Sequence, residues 1–142
     1  MRTVFYSGKA ALTRGSADAA GWDLRSDDTY VLPQFKVVMV GTGIRLIIPA
    51  GHEGQIRPRS SLGKQGIIIP NAPGTIDADY RGEIKVIMMN LLEEEFVIEA
   101  GERIAQIVFA PVLDVAMQGV EMTEIVANST IRGDGGFGST GR

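Results

Sequence analysis

The chain has no cysteine and a single histidine, His52, among its 142 residues. These absences remove disulfides, Cys-ligated zinc, a thiol nucleophile and any site built from several histidines. His52 stands in Pro49-Ala50-Gly51-His52-Glu53-Gly54, a stretch that reads as a turn, so a solvated turn residue is expected there and not a catalyst. Lys and Arg form no stripe, and the net charge is only −3. A protein that grips a polynucleotide needs such a stripe, which argues against DNA and RNA as partners. A single small nucleotide stays compatible. No apolar run approaches membrane-spanning length, and Met1-Arg2-Thr3-Val4-Phe5-Tyr6 is too short and too polar downstream for an export signal. No membrane partner is expected, and the expected location is cytoplasmic. Without export the sequon Asn128-Ser129-Thr130 means nothing. G-x-x-x-x-G-K-[ST] is also missing, so there is no P-loop.

Helical periodicity is absent almost everywhere too. Short β-rich runs recur instead: Thr3–Tyr6, Tyr30–Leu32, Lys36–Val40, Gly43–Ile48, Gly54–Arg57, Ile67–Ile69, Glu83–Asn90, Phe96–Glu99, Arg103–Val108 and Val112–Met117. Gly, Pro, Asn or Asp punctuates the gaps, the pattern of an all-β sandwich or barrel. Hydrophobic residues make up 44% of the chain, enough for a real core in one domain. Residues 1–130 are expected to form that domain. Val86-Ile87-Met88-Met89 is apolar on both sides, as a strand buried on both faces would be, one of them against another subunit. Glu93-Glu94-Glu95 reads as a solvated hairpin loop. Ser60–Lys64 reads as one helical turn with Ser60 as its N-cap.

Residues 131–142 differ in kind from the rest. Ile131 to Gly141 holds five glycines, the cation Arg132, the ring of Phe137 and the hydroxyls of Ser139 and Thr140. Such a segment gains little by packing on its own domain, because glycine loses the most freedom on ordering. Two readings stand side by side: a plain disordered terminus, or a flexible clasp ordered by a nucleotide. Closely spaced N–H groups, hydroxyls and an arginine suit phosphate oxygens, and the ring suits a base. Gly133, Gly135 and Gly138 match the letters of G-x-G-x-x-G. No helix has room to follow, so that match is spurious.

Four further segments combine polar chemistry with turn residues. Ala20-Gly21-Trp22-Asp23-Leu24-Arg25-Ser26 places Asp23 after a Gly-aromatic pair, and by itself reads as a turn with a turn-forming aspartate. Pro58-Arg59-Ser60-Ser61-Leu62-Gly63 joins a cation to paired hydroxyls at the start of a helical turn, either an anion cradle or an ordinary capped turn. Asn71-Ala72-Pro73-Gly74-Thr75-Ile76-Asp77-Ala78-Asp79-Tyr80-Arg81-Gly82 holds two carboxylates around Ala78. In an extended chain Asp77 and Asp79 share one face, a route to a poised base, unless both are solvated or paired with Arg81. In Gly101-Glu102-Arg103-Ile104-Ala105-Gln106-Ile107-Val108 the alternation is poor, so Arg103 and Gln106 do not fit as simple surface residues.

Together with the tail, these segments resemble, in order, the five motifs of the trimeric dUTP pyrophosphatase (dUTPase) family, over Ala20 to Gly141. The resemblance implies a jelly-roll-like β subunit in a homotrimer, active sites at subunit boundaries and a flexible C-terminal arm. It implies Mg²⁺-dependent hydrolysis of dUTP to dUMP and pyrophosphate, which limits uracil incorporation into DNA and supplies dUMP for thymidylate synthesis. Asp77 would match the acid that deprotonates the attacking water, and Tyr80 the ring that rejects a ribose 2′-hydroxyl. Uracil would lie in the hairpin Asn71–Ile76, read by backbone groups of Gly74, Thr75 and Ile76 and by the side chain of Asn71. Arg59, Ser60, Ser61, Gly63 and Gln106 would hold the triphosphate. Asp23 would reach Mg²⁺ through water, the ion being held mainly by phosphates. Arg103 would hold acids near the site in place. Phe137 would stack on uracil while Arg132, Gly138, Ser139 and Thr140 meet the γ-phosphate. Trp22 and Ser61 depart from common family residues without removing a catalytic group. The nearest rival is dCTP deaminase, similar in its Arg-Ser-Ser-Leu segment but needing a different acid–base set. A non-catalytic regulator of the same fold is a further alternative, against which Asp77, Tyr80, Gln106 and the tail all count.

Overall fold

Along Lys85–Asn90 buried and open side chains alternate strictly, with Val86, Met88 and Asn90 in the core and Lys85 in solvent. That period of two is the signature of a strand with one face on a core, and it recurs through most of the chain. The computed structural model describes residues 2–8 and 11–136. Its elements are β1 Phe5–Ser7, β2 Trp22–Arg25, β3 Tyr30–Leu32, β4 Val37–Gly41, β5 Arg45–Ile47, β6 His52–Arg57, α1 Ser60–Gly63, β7 Ile67–Ile68, β8 Gly74–Ile76, β9 Lys85–Asn90, β10 Phe96–Ile98, β11 Arg103–Pro111 and α2 Met122–Ala127. The fold is all-β, as the sequence predicts. Its ladders are antiparallel, in the orders β2-β11-β6-β8, β4-β9-β7, β1-β5 and β10-β3. Among the described residues no helix is long and apolar enough to cross a membrane.

One core joins these sheets. Leu24, Leu32, Val40, Ile84, Val86, Ile98, Ile104 and Ile107 are essentially without solvent contact. Burying a Leu or Ile fully contributes roughly 1.5–3 kcal/mol, so this set dominates the stability. Asn90 is buried among them and fully satisfied. Its Nδ2 donates to the carbonyls of Leu32 (2.9 Å) and Glu94 (2.7 Å), and its Oδ1 accepts from the Leu92 N–H (2.8 Å).

Several local expectations change. Ala20–Ser26 is no turn: Trp22–Arg25 is β2, because Leu24 alternates with Asp23 and Arg25 and fills the core. His52 opens β6 and is half-buried, with Nδ1 3.2 Å from the Ala50 carbonyl; it is not a solvated turn residue. The N-cap of α1 is Arg59, not Ser60, since the Arg59 carbonyl already accepts from Leu62 and Gly63 N–H. Asn71–Ile76 is not a hairpin, because β7 belongs with β9 and β8 with β6, so the intervening loop crosses between sheets. The Glu93–Glu95 loop is exposed, yet it also joins different sheets. Val86 and Met88 are buried within the chain, whereas Ile87 and Met89 on the other face stay partly open. Val112–Met117 forms no strand: its one backbone bond to another segment among the described residues is from Val112 N–H to the Gly51 carbonyl (2.9 Å), and Val112, Leu113, Val115 and Met117 stand exposed. The helix α2, entirely exposed, was not foreseen.

The poor alternation near Gln106 has a definite cause. Arg103 pairs with Arg25 and Ala105 with Leu24, so Ile104 is an extra residue, a β-bulge in β11. Ile104 and Ala105 are consequently both buried.

Candidate active site

The bulge decides how the first half of the site is built. Arg103 and Gln106 are an odd number of residues apart, which in a regular strand puts them on opposite faces. The extra residue shifts the phase, and both come to the side of Asp23. Gln106 stands directly opposite Asp23 on β2 and opposite Arg57 on β6. Arg103 Nη1 lies 3.4 Å from Asp23 Oδ2, and Arg59 Nε lies 3.8 Å from Asp23 Oδ1. Arg59 also donates from Nη1 to the Arg103 carbonyl (2.9 Å), and Gln106 Nε2 donates to the Pro58 carbonyl (3.1 Å). Asp23 is only 13% exposed, so the guanidiniums leave it little water. Two cations against one carboxylate leave a net positive patch. Ser60 and Ser61 border it from α1, their hydroxyls exposed and, among the described residues, without hydrogen-bond partners; Gly63 ends the turn. The arrangement suits a polyanion.

Gly21 completes this half by what it lacks. A Cβ there would run into the Gln106 carboxamide, meeting its Oε1 and lying 3.0 Å from Cδ. The sequence signal for this role is only a glycine two residues before Asp23.

The second half runs from the loop before β8 through β8 to the β8–β9 connection. Gly74 is buried against Ile56, Thr75 is exposed and Ile76 half-buried. The Asn71 amide packs over Gly74, with Nδ2 3.2 Å from the place a Cβ would occupy. After β8 the chain turns, closed by the Tyr80 N–H to the Asp77 carbonyl (3.1 Å). Asp79 therefore sits in a turn and does not share an extended face with Asp77. Arg81 pairs with neither acid: its Nη1 donates to the carbonyls of Ala78 (2.7 Å) and Tyr80 (2.9 Å). Asp77 is exposed, with no ion pair among the described residues. It borders a recess of about 250 Å³ together with Thr75, Ile76, Tyr80, Lys85, Met39 and Ile87.

Side chains that the sequence did not single out hold this turn in place. Arg45 Nη1 donates to the Arg81 carbonyl (2.9 Å). Glu83 Oε1 accepts from the N–H groups of Thr42 (3.2 Å) and Gly43 (3.1 Å), while its carbonyl accepts from Tyr80 Oη (3.0 Å). Beside Glu83, the Tyr30 phenol donates to Asp27 (2.9 Å) and accepts from Gly41 N–H (3.2 Å). The Gly41 bond pulls its pKa down, but burial, the Asp27 bond and the charges of Asp27 and Asp28 outweigh it and hold the phenol above its ordinary value.

The Asp77 turn and the Arg59 cluster occupy opposite ends of one ladder, whereas Gly74, paired with Ile56, stands at the Arg57 end. Ile76 pairs with Gly54, so Asp77 lies beside Glu53, whereas Arg59 follows Arg57 at the far end of β6. Glu53 to Arg57 alone spans about 13 Å of extended strand. Arg132 joins neither half; its Nε donates to the Gly135 carbonyl (2.9 Å) within a local turn. Phe137, Gly138, Ser139 and Thr140 lie outside the described residues. Among the described residues no group of three acids or histidines converges on a point where a metal ion would sit.

Known proteins resemble this chain along nearly all of its length. A dUTPase family model matches residues 8–141. The deoxyuridine 5'-triphosphate nucleotidohydrolase of Hydrogenobaculum sp. (strain Y04AAS1) is 54% identical over 128 residues, covering 89% of this chain and 86% of that protein. That of Sinorhizobium medicae (strain WSM419) is 50% identical over 131 residues, covering 89% and 79%. Among solved structures, the Staphylococcus bacteriophage 80alpha dUTPase with dUPNHPP superimposes with a TM-score of 0.89 at 26% identity, covering all of both chains. A mutant dUTPase from phage phi11 of S. aureus, described with a structural Mg(II) ion, shares the fold with a TM-score of 0.76 at 21% identity, covering 84% of this chain and 97% of that one.

Proposed function

The chain belongs to the dUTPase family, and from that membership we propose that it hydrolyses dUTP to dUMP and pyrophosphate at sites completed between subunits of a homotrimer. The observation that carries the mechanism is the sorting of two carboxylates. Asp23 is occupied by two guanidiniums, while Asp77 is exposed and free of any ion pair among the described residues. A general base has to be free to take a proton, and Asp77 meets that condition.

Asp77 accepts a proton from a water molecule whose oxygen attacks the α-phosphorus. The bond from that phosphorus to the oxygen bridging to the β-phosphorus breaks, and pyrophosphate leaves. Arg59, Ser60, Ser61, Gly63 and Gln106 bind the triphosphate and orient it for in-line attack. Arg103 positions Asp23 and Arg59. The donor set fits an ion brought in by the phosphates: no protein cage exists among the described residues, and Asp23 borders the anion patch. Mg²⁺ bound there would neutralise charge on the phosphates, keeping several waters and few protein ligands. Tyr80 packs on the deoxyribose, and Asn71, Gly74, Thr75 and Ile76 read uracil. Arg132, Phe137, Gly138, Ser139 and Thr140 close over the nucleotide from residues 131–142, the arm following the β domain of residues 1–130.

The offset along β6 and β8 supports a shared site. A triphosphate with its α-phosphorus at Asp77 does not reach the Arg59 cluster of the same chain, but two chains side by side bring the halves together. Val37 and Met39, exposed on β4 beside the Asp77 recess, give such a partner an apolar face. We place the reaction in the cytoplasm, where it limits uracil incorporation into DNA and supplies dUMP for thymidylate synthesis. The test is pyrophosphate release from dUTP, UTP, dTTP and dCTP with magnesium. Turnover of dUTP alone is expected; ammonia from dCTP, or equal rates on UTP and dUTP, would overturn the assignment.

A further inference from the structure

We propose that Gly82 sets the sugar selectivity of this site by leaving empty the space in which the Tyr80 ring lies. The inference deepens the reading of Tyr80 given above and rests on it. Gly82 does not occupy the left-handed backbone region that by itself favours glycine, so the reason for a glycine is what lies over it. A Cβ at position 82 would meet Tyr80 Oη and Cζ and lie 2.7 Å from Cε2. Carbon atoms in contact settle at about 3.5–4.0 Å, so the tip of the ring would have to move by roughly an ångström or more.

What moves is decided by what is held. Tyr80 Oη donates to the Glu83 carbonyl (3.0 Å), and Glu83 is itself fixed by the Thr42 and Gly43 amides. Tyr80 as a whole is 45% exposed, and among the described residues its side chain makes no other hydrogen bond. All three of the nearest atoms to the added Cβ are side-chain atoms of the ring, and none is backbone. A methyl group at position 82 therefore displaces the ring and breaks its bond to Glu83, while the chain keeps its path. The result is lost discrimination between deoxyribose and ribose with little loss of stability.

The experiment compares kcat/KM on dUTP and UTP for the wild type, Gly82→Ala, Tyr80→Ala and the double variant. Misplacement of a positioning group by an ångström costs up to about 100-fold, so Gly82→Ala should lower the dUTP/UTP ratio by at least about 10-fold. Its melting temperature should stay close to that of the wild type. In the Tyr80→Ala background the methyl has room, and adding Gly82→Ala should change the ratio by less than about 2-fold. If Tyr80→Ala collapses the ratio and Gly82→Ala leaves it intact, the inference about Gly82 is overturned and the role of Tyr80 stands. If Tyr80→Ala also leaves the ratio intact, the role of Tyr80 falls and takes this inference with it. Should Gly82→Ala fail to fold, the double variant must fold and match Tyr80→Ala; a double variant that also fails to fold overturns the inference.

Discussion

Asp77→Asn and Arg59→Ala should each be nearly inactive alone and restore one another when assembled into the same oligomer. Replacing a positioned general base removes a factor of about 10²–10⁴ in rate. Removing Arg59 costs roughly 1.5–3 kcal/mol per charged hydrogen bond to phosphate, and it leaves Asp23 with Arg103 alone. The ladder register puts the two residues at opposite ends of β6 and β8, so the proposed site takes Asp77 from one chain and Arg59 from its neighbour. In a cyclic trimer assembled at random from equal amounts of both variants, a site is intact when its Asp77 donor carries Arg59→Ala and its Arg59 donor carries Asp77→Asn. Each condition is met half the time, so about one quarter of sites are native. Co-expression with distinct tags, tandem purification and pyrophosphate release from dUTP give the measurement. Before selection the expected activity is about a quarter of wild type; after tandem purification every trimer is mixed and holds one native site in three, so about a third is expected, well above the parents' average. Mixed oligomers, confirmed by mass, that show only the average of their parents would place both residues in one chain's site and refute the argument from strand offset.

Removing magnesium with a chelator should abolish turnover yet leave the melting temperature of the nucleotide-free protein unchanged, since no cage of metal ligands exists among the described residues; a drop in melting temperature would reveal a structural ion. Deleting Ile131–Arg142 should leave the oligomer intact by light scattering and cripple dUTP turnover, because one base–aromatic stack contributes about 1–3 kcal/mol; unchanged kcat/KM would make the tail incidental. Gly21→Ala should push the Gln106 carboxamide off the Pro58 carbonyl, raising KM for dUTP about 10-fold or more, given the sensitivity of positioning groups to small displacements. A wild-type KM in that variant would show that Gln106 has another place to go.

The all-β class and most strand positions were legible because alternation and turn residues are local signals. Tyr30–Leu32 and Phe96–Ile98 emerge from the sequence almost residue for residue. What escaped depends on pairing. β2 looked like a turn because only four residues alternate there, and its ladder with β11 is long-range. The segment Asn71–Ile76 reads as a hairpin because nothing in the sequence says that β7, β8 and β9 divide between sheets. The polar residues of each half were visible by type, but the frame that holds Tyr80 was not. Arg45 and Glu83 are ordinary surface residues by composition, and their partners are backbone groups far along the chain or across a turn. Val112–Met117 carries the composition of a strand without a strand partner among the described residues, a need that sequence pattern cannot address.

The extra residue in β11 has a consequence for how this segment tolerates change. Ile104 acts as a counted spacer: with it, Arg103 and Gln106 stand on the face that carries Asp23; without it, one of them would swing to the opposite face. Swapping Ile104 for another apolar side chain costs packing alone. Losing or gaining a single codon there would invert the strand's phase and dismantle the anion patch with every functional residue still present.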